Sequence, residues 1–240
     1  MKESNGEWIM CGLSEEDPNC IRNYKGIVAK VKEYGFLPLF KNKIPGFSVE
    51  EMTSSNAWWG DKPEEDPWEW RGVIATEKEV AYGKFFANKA GFISMEWYPH
   101  FVNHRRAGYD FDSRYEDGLA SHKQKLVMDV MEKEESLQSF RLKALAGFGR
   151  GGEKGFDSVV TSLQMLSYLT IIGFEKKRNK KNEEYGWAGA VYATSETYFG
   201  YDFVRSAYKD DPKESKEKMI SHLIGLLGEE NEKEIKKLIK

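Results

Sequence analysis

The chain has 240 residues, of which 40% are hydrophobic and 14% aromatic, and its formal net charge is -3. This composition is typical of a folded protein, and it excludes a largely disordered chain or one coated in positive charge. No run of eighteen apolar residues occurs and the first residues lack a signal-peptide core, so we expect a cytoplasmic protein with no membrane partner. The two cysteines, Cys11 and Cys20, are interpreted as ordinary thiols.

The first half predicts helices at both ends of a short sheet. Pro18 to Tyr34 has the apolar spacing of an amphipathic helix, and an extended run follows at 36–40. Val73 to Thr76 and Val80 to Ala87 have the composition of strands separated by a turn. Ser94 then has the position of a cap for a helix that contains several aromatic residues.

Aromatic residues are dense between positions 58 and 98. Tryptophans are usually buried in a core, but a concave pocket in which aromatic rings stack on an extruded base is the functional alternative. Two histidines four residues apart lack a third ligand, so the sequence predicts no metal site and no cofactor. The candidate pocket residues are Trp68, Trp70, Arg71, Trp97, Tyr98, His104 and Arg105.

The second half predicts three helices followed by a hairpin. Ser121 to Met131 opens with a capping box, Ser139 to Ala146 forms a second helix, and a glycine-rich turn leads to a third helix from Glu153 to Leu166. An apolar strand at 168–172 and a return strand from Gly186 to Ala193 close the unit. This order is typical of a winged helix-turn-helix.

Two features of this unit predict contact with double-stranded DNA. The third helix has a polar face, and the hairpin tip carries five positive charges in six residues. Residues 139–185 hold nine basic and five acidic side chains, whereas residues 1–70 hold eight basic and thirteen acidic ones. A solvated helix face and a solubilising turn are the alternatives. The predicted DNA-binding residues are Lys154, Ser158, Thr161, Ser162, Gln164, Lys176, Lys177, Arg178, Lys180 and Lys181.

We therefore predict an α+β fold with tandem winged helix-turn-helix domains and extra C-terminal helices. Residues 1–112 are interpreted as an N-terminal α+β domain, a degenerate winged helix, and residues 113–194 as the winged helix-turn-helix domain. Residues 195–240 form a helical extension, in which Asp211 and Pro212 begin one helix and Asn231 begins another.

Eight short segments share one family's sequence pattern, at 47–51, 67–70, 82–86, 121–123, 141–148, 155–160, 163–165 and 185–187. They resemble the AlkZ-like family of winged-helix DNA glycosylases, most of all its AlkZ-related branch. The resemblance spans Val31 to Ile239. It implies tandem winged helices around a concave channel that holds DNA, and in active members the excision of alkylated or crosslinked bases.

The family's catalytic step is a Gln-x-Gln or Gln-x-Asp sequence after an early helix and a short turn. The matching stretch here is 35–40, where Pro38 and Phe40 occupy the two polar positions. Neither side chain can orient a water molecule or stabilise a sugar cation, so the family mechanism does not transfer.

Three functions stay open. The first is a DNA-binding protein that recognises damaged or distorted duplex DNA or acts as a regulator. The second is an active glycosylase with a displaced carboxylate, for which Glu69 and Glu96 lie beside aromatic residues. The third is a protein-interaction module, which the net acidity and the arginine-free third helix favour.

Overall fold

The fold is built on a six-stranded antiparallel sheet. The computed structural model describes residues 2–4 and 7–240. Strands in the main sheet follow the order β3-β5-β4-β7-β8-β6, and β1 and β2 form a separate pair. The mixed α+β class is thereby confirmed. The strands are β1 Lys2–Ser4, β2 Glu7–Ile9, β3 Phe36–Pro38, β4 Val80–Phe86, β5 Lys89–Ser94, β6 Leu137–Gln138, β7 Leu169–Arg178 and β8 Glu184–Thr194.

Helices pack on the sheet and extend beyond it at the C-terminal end of the chain. Within the described residues, none of them combines the length and apolarity needed to cross a membrane. The helices are α1 Tyr24–Tyr34, α2 Val49–Met52, α3 Pro67–Thr76, α4 Tyr98–Arg106, α5 Phe111–Glu116, α6 His122–Met131, α7 Ser139–Leu145, α8 Phe156–Met165, α9 Ser195–Phe199, α10 Tyr201–Val204, α11 Pro212–Leu227 and α12 Glu232–Ile239.

The same order of elements occurs twice along the chain. Residues 24–94 run through a helix, a short strand, two helices and a hairpin, and residues 122–194 repeat that order. Strand pairing is also the same, because each short strand pairs with the second strand of its own hairpin. No fixed-period repeat of residues occurs in the sequence, so the duplication is seen in the order and pairing of the elements.

The two repeats are joined by pairing between the first strands of their hairpins. Tyr82 of β4 lies opposite Ile171 of β7. The buried Thr170 Oγ1 donates to the Tyr82 carbonyl at 3.1 Å, and the Lys84 N–H donates to Gln164 Oε1 at 2.9 Å. Because these contacts cross between the repeats, one continuous sheet takes strands from both sides of residue 112.

Helix starts follow the local capping signals where those signals are strong. Ser121 Oγ accepts the Gln124 N–H, and Gln124 Oε1 accepts the Ser121 N–H, which completes the predicted capping box. Asp211 Oδ1 accepts the Lys213 N–H in front of α11, so that start is also confirmed.

The strand predicted from Val73 to Thr76 is wrong, because these residues form the end of α3. The Asp66 carboxylate accepts the Trp68 N–H, and Pro67 occupies the first helical position. The helix predicted from Glu153 begins later, after Gly155 at a φ of 88°. Such a positive φ suits glycine and ends the preceding turn.

A buried arginine ties α4 to the second repeat. Arg106 has no solvent-exposed surface, and its guanidinium contacts the Glu196 carboxylate, the Ser167 carbonyl at 2.6 Å and the Leu166 carbonyl at 3.4 Å. Burial opposes the charged form, but the neighbouring carboxylate raises the pKa of Arg106 above its ordinary value. Arg205 also lies 3.7 Å from Glu196.

Replacing Glu196 with alanine should destabilise the fold strongly, because it leaves the charge of Arg106 buried without an anion. We expect the free energy of unfolding to fall by about 3 kcal/mol in urea denaturation. As the control, Glu33→Ala removes an exposed ion pair with Lys30 and should change stability by less than about 0.5 kcal/mol. Equal effects of the two variants would contradict this assignment.

Candidate nucleic-acid interface

The hairpin of the second repeat extends beyond the sheet as an exposed arm. Every residue from 175 to 188 is solvent-exposed, and we call this segment the basic arm. Arg178 pairs with Glu184 at 2.9 Å. Among residues 10–240, whose side chains the structure describes, no acidic group lies within ion-pair distance of the arm's four lysines, which are Lys176, Lys177, Lys180 and Lys181.

The basic arm contacts the start of α7. The ammonium group of Lys177 lies 5.2 Å from the centre of the Phe140 ring. Arg141 and Lys143 follow on α7, and both side chains are exposed. These two cations were not among the residues predicted from the sequence, although they contribute to the charge excess of residues 139–185.

The other end of α7 leads to a surface pocket at the start of α8. The pocket has a volume of about 520 Å³. The residues that line it include Lys143, Lys154, Glu153, Asp157 and the glycine-rich turn. Gly155 precedes α8 and provides no side-chain acceptor for the first N–H groups of the helix. Unsatisfied N–H groups and the helix dipole favour an anion at such a position.

The basic arm and the pocket therefore lie at opposite ends of one short helix. Seven residues of α-helix span about 10 Å. We call the arm, Arg141, Lys143 and Lys154 together the basic band.

Only part of the predicted polar face of α8 is accessible. Lys154 and Ser158 are exposed, whereas the sequence prediction placed Thr161 and Gln164 in solvent and the structure buries both. Gln164 accepts the Lys84 N–H of β4 and donates to the Val160 carbonyl at 3.1 Å. The cause is the pairing of β4 with β7, which brings β4 against this side of α8.

Other contacts hold Ser162 and Thr161 within the protein. Ser162 Oγ is half-buried and accepts the side-chain amide of Gln124 at 3.0 Å. Thr161 Oγ1 lies 3.3 Å from the ammonium group of Lys84. The accessible part of α8 is therefore its first turn.

The aromatic residues predicted as one pocket fall into two separate groups. In the first group, the Arg71 guanidinium lies between the rings of Trp68 and Phe174, 3.6 Å and 3.8 Å from their centres. Phe174 belongs to β7, so this stack adjoins the base of the basic arm. Trp70 is buried, and its indole N–H donates to the Glu64 carbonyl at 2.8 Å.

The second group lies on α4, against the C-terminal helices. The ring of Trp97 stacks on His222 with centres 4.4 Å apart, and the buried Tyr98 hydroxyl lies 2.7 Å from Ser195 Oγ. His104 Nε2 lies 3.2 Å from the Ile239 carbonyl, and Arg105 donates to the Phe85 carbonyl at 3.2 Å. All four predicted residues here make contacts within the fold.

Carboxylates near the aromatic residues differ in exposure. Glu69 and Glu96 are both solvent-exposed. Glu50, which the sequence interpretation did not consider as a site residue, is fully buried and accepts the N–H groups of Cys11 and Lys41 at 3.0 and 2.9 Å. Despite its burial, these bonds contribute to a pKa of Glu50 below its ordinary value. Glu50 therefore closes the turn that follows β3.

The stretch predicted to match the family's catalytic step is apolar in its surroundings as well. Pro38 ends β3 and is buried. The ring of Phe40 lies 5.9 Å from Trp58 and 6.3 Å from Trp68, centre to centre. These positions therefore contribute to an aromatic cluster.

His104 gives the fold a distinct dependence on pH. Burial, with Arg105 and Lys216 nearby, lowers the pKa of His104 to about 4. The unfolded chain therefore takes up a proton near pH 6.5 that the folded chain does not bind until about pH 4. This contribution to stability is present above pH 6.5 and is lost as the pH falls toward 4.

His104→Gln removes the titrating group and keeps a donor for the Ile239 carbonyl. Between pH 6.5 and 4, the unfolding free energy of the native protein should fall more steeply than that of the variant. The difference in slope should be up to about 1.4 kcal/mol per pH unit. Parallel curves in urea titrations at several pH values would show that His104 titrates normally in the folded protein.

Comparison with protein families gives a match over most of the chain. The model of the family described as AlkZ related matches residues 21–240. No curated protein and no solved structure matches the chain.

Proposed function

The chain belongs to the AlkZ-related family, and from this premise we propose that it binds duplex DNA through the basic band. The family relation connects the chain to DNA glycosylases. The observation that carries the proposal is the position of the exposed basic arm and the α8 pocket at the two ends of α7. Duplex DNA presents a dense row of phosphate charges, and exposed lysines bind them by displacing counterions.

We further propose that the two repeats are tandem winged helices. Each repeat has the helix, strand, two helices and hairpin of that fold, and each folds its strands in the same order. Residues 122–194 are the unit with a long hairpin wing, and residues 24–94 are the degenerate counterpart, with a short hairpin. Among the C-terminal helices, α11 packs along α4, and His222 on α11 lies 3.1 Å from the Tyr34 carbonyl of the first repeat.

The proposed contact is with the DNA backbone rather than with base edges. Thr161 and Gln164 are engaged inside the fold, and the exposed turn of α8 offers Ser158 and Asp157. Neither makes the paired hydrogen bonds by which arginine reads guanine. Affinity in this arrangement comes from lysine–phosphate contacts, which depend on salt and not on sequence.

Charge reversal in the basic arm tests the proposal. Changing Lys176, Lys177 and Lys180 together to Glu should weaken duplex binding for all sequences. In a plot of log affinity against log salt concentration, the magnitude of the slope should decrease by about 3, which is about 1 for each lost phosphate contact. Fluorescence anisotropy with a labelled duplex between 50 and 200 mM salt measures both effects.

A matched variant controls for the change in net charge. Lys209, Lys213 and Lys233 are also exposed and lie in the C-terminal region. Their joint change to Glu alters the charge equally and should leave most of the affinity intact. If both triple variants lose the same affinity, the arm is not the binding surface. If the native protein does not bind a duplex even at low salt, the alternative of a protein-interaction module is favoured.

Base excision is a second candidate, because the family is related to glycosylases and Glu69 lies beside Trp68 on α3. Excision by Glu69 or Glu96 requires that carboxylate to activate water or stabilise the sugar cation. The corresponding change to Gln should then lower release of 7-methylguanine from methylated DNA by about a hundredfold. Glu65→Gln is the control, and unchanged release in both test variants would eliminate these two carboxylates.

A further inference from the structure

Trp187 is the most exposed large apolar side chain of residues 10–240. Its exposed fraction is 94%, and that of Tyr185, two residues earlier on β8, is 52%. Single exposed apolar residues are common on proteins, but an indole almost entirely in water on a projecting arm is not explained by folding. Such a ring is typical of a contact residue.

The backbone holds Trp187 away from the sheet. Lys177 lies opposite Tyr185, and Glu175 lies opposite Gly189, so three residues of β8 face only Lys176 on β7. This bulge contains Trp187 at its centre, and Gly186 before it has a φ of 71°. A bulge with a glycine in the left-handed region changes the direction of the side chain that follows it. The backbone at Gly186 therefore sets the orientation of Trp187.

The surroundings of Trp187 identify the chemistry of its partner. Lys176 lies on β7 across from this bulge, and Lys177, Lys180 and Lys181 lie on the same exposed arm. The indole therefore shares the arm with four cationic side chains. Proteins that hold exposed bases combine these two features, a cationic track for the backbone and aromatic rings on which bases stack. The charge of the arm thus favours a nucleic acid over an apolar protein surface.

Bases in an intact duplex stack on each other and leave no free ring face for an indole. An unpaired or displaced base does present one, and it is less costly to move out of the stack. We propose that Trp187 stacks on an unpaired nucleobase, so that the basic arm distinguishes an interrupted duplex from an intact one. This inference rests on the proposed duplex binding and adds a specificity to it.

The test compares two DNA molecules and two variants. The native protein should bind a duplex with one unpaired adenine about tenfold more tightly than the same duplex without it, which is within the range for one stacked base. Trp187→Ala should remove this preference and retain binding to the intact duplex. Trp187→Phe should keep most of the preference, because it keeps a ring. When 2-aminopurine occupies the unpaired position, binding of the native protein should quench the fluorescence of that base. Binding of Trp187→Ala should leave this fluorescence unquenched.

Trp59→Ala is the matched control, since Trp59 is 47% exposed but lies outside the arm. It should keep the preference and the quenching.

If Trp187→Ala also keeps both while the arm lysine variant loses affinity, the stacking inference is overturned and duplex binding stands. If the native protein has no preference between the two duplexes, the inference also fails. If it binds neither duplex, the proposed function and the inference fail together. Equal thermal stability of the variants excludes misfolding.

Discussion

Pairing between β4 and β7 is the constraint on which the rest of the molecule depends. It joins two hairpins into one sheet and brings β4 against α8. There the Lys84 N–H donates a hydrogen bond to the side-chain oxygen of Gln164. Gln164, which the sequence predicted to contact DNA, is thereby a hydrogen-bond partner inside the fold. A buried amide without a partner costs free energy, so this hydrogen bond satisfies the Lys84 N–H. What remains accessible on α8 is its first turn, so any DNA contact shifts toward the arm and α7.

The duplication of topology does not extend to charge or to hairpin length. In the first repeat β4 and β5 join at a short turn, whereas β7 and β8 continue well beyond the sheet. The first repeat also contains an acidic loop at 61–66, before α3, and the aromatic cluster around Phe40. These differences suit a division of labour in which the first repeat stabilises the sheet and the second presents the charged surface.

Local signals in the sequence predicted the parts of the fold that depend on neighbouring residues. The capping box at Ser121 and the Asp211–Pro212 start are such cases, since each involves contacts within three residues. The segment from Val73 to Thr76 was wrongly predicted as a strand because its β-branched residues favour strands. The N-cap of the helix that contains it lies seven residues earlier, at Asp66. The burial of Gln164 depends on pairing between β4 and β7, which lie far apart in the sequence. The bulge at Trp187 depends on the register of β7 against β8, which the residue types of the hairpin do not specify.

Hydrogen–deuterium exchange with and without a duplex tests the central claim most directly, because it reports the contact surface without altering a residue. If the basic band binds DNA, amide exchange should slow in residues 139–158 and 175–188. Exchange in residues 201–240 should stay unchanged. Protection confined to residues 59–69 or to the C-terminal helices, with the arm exchanging as in the free protein, would contradict the account.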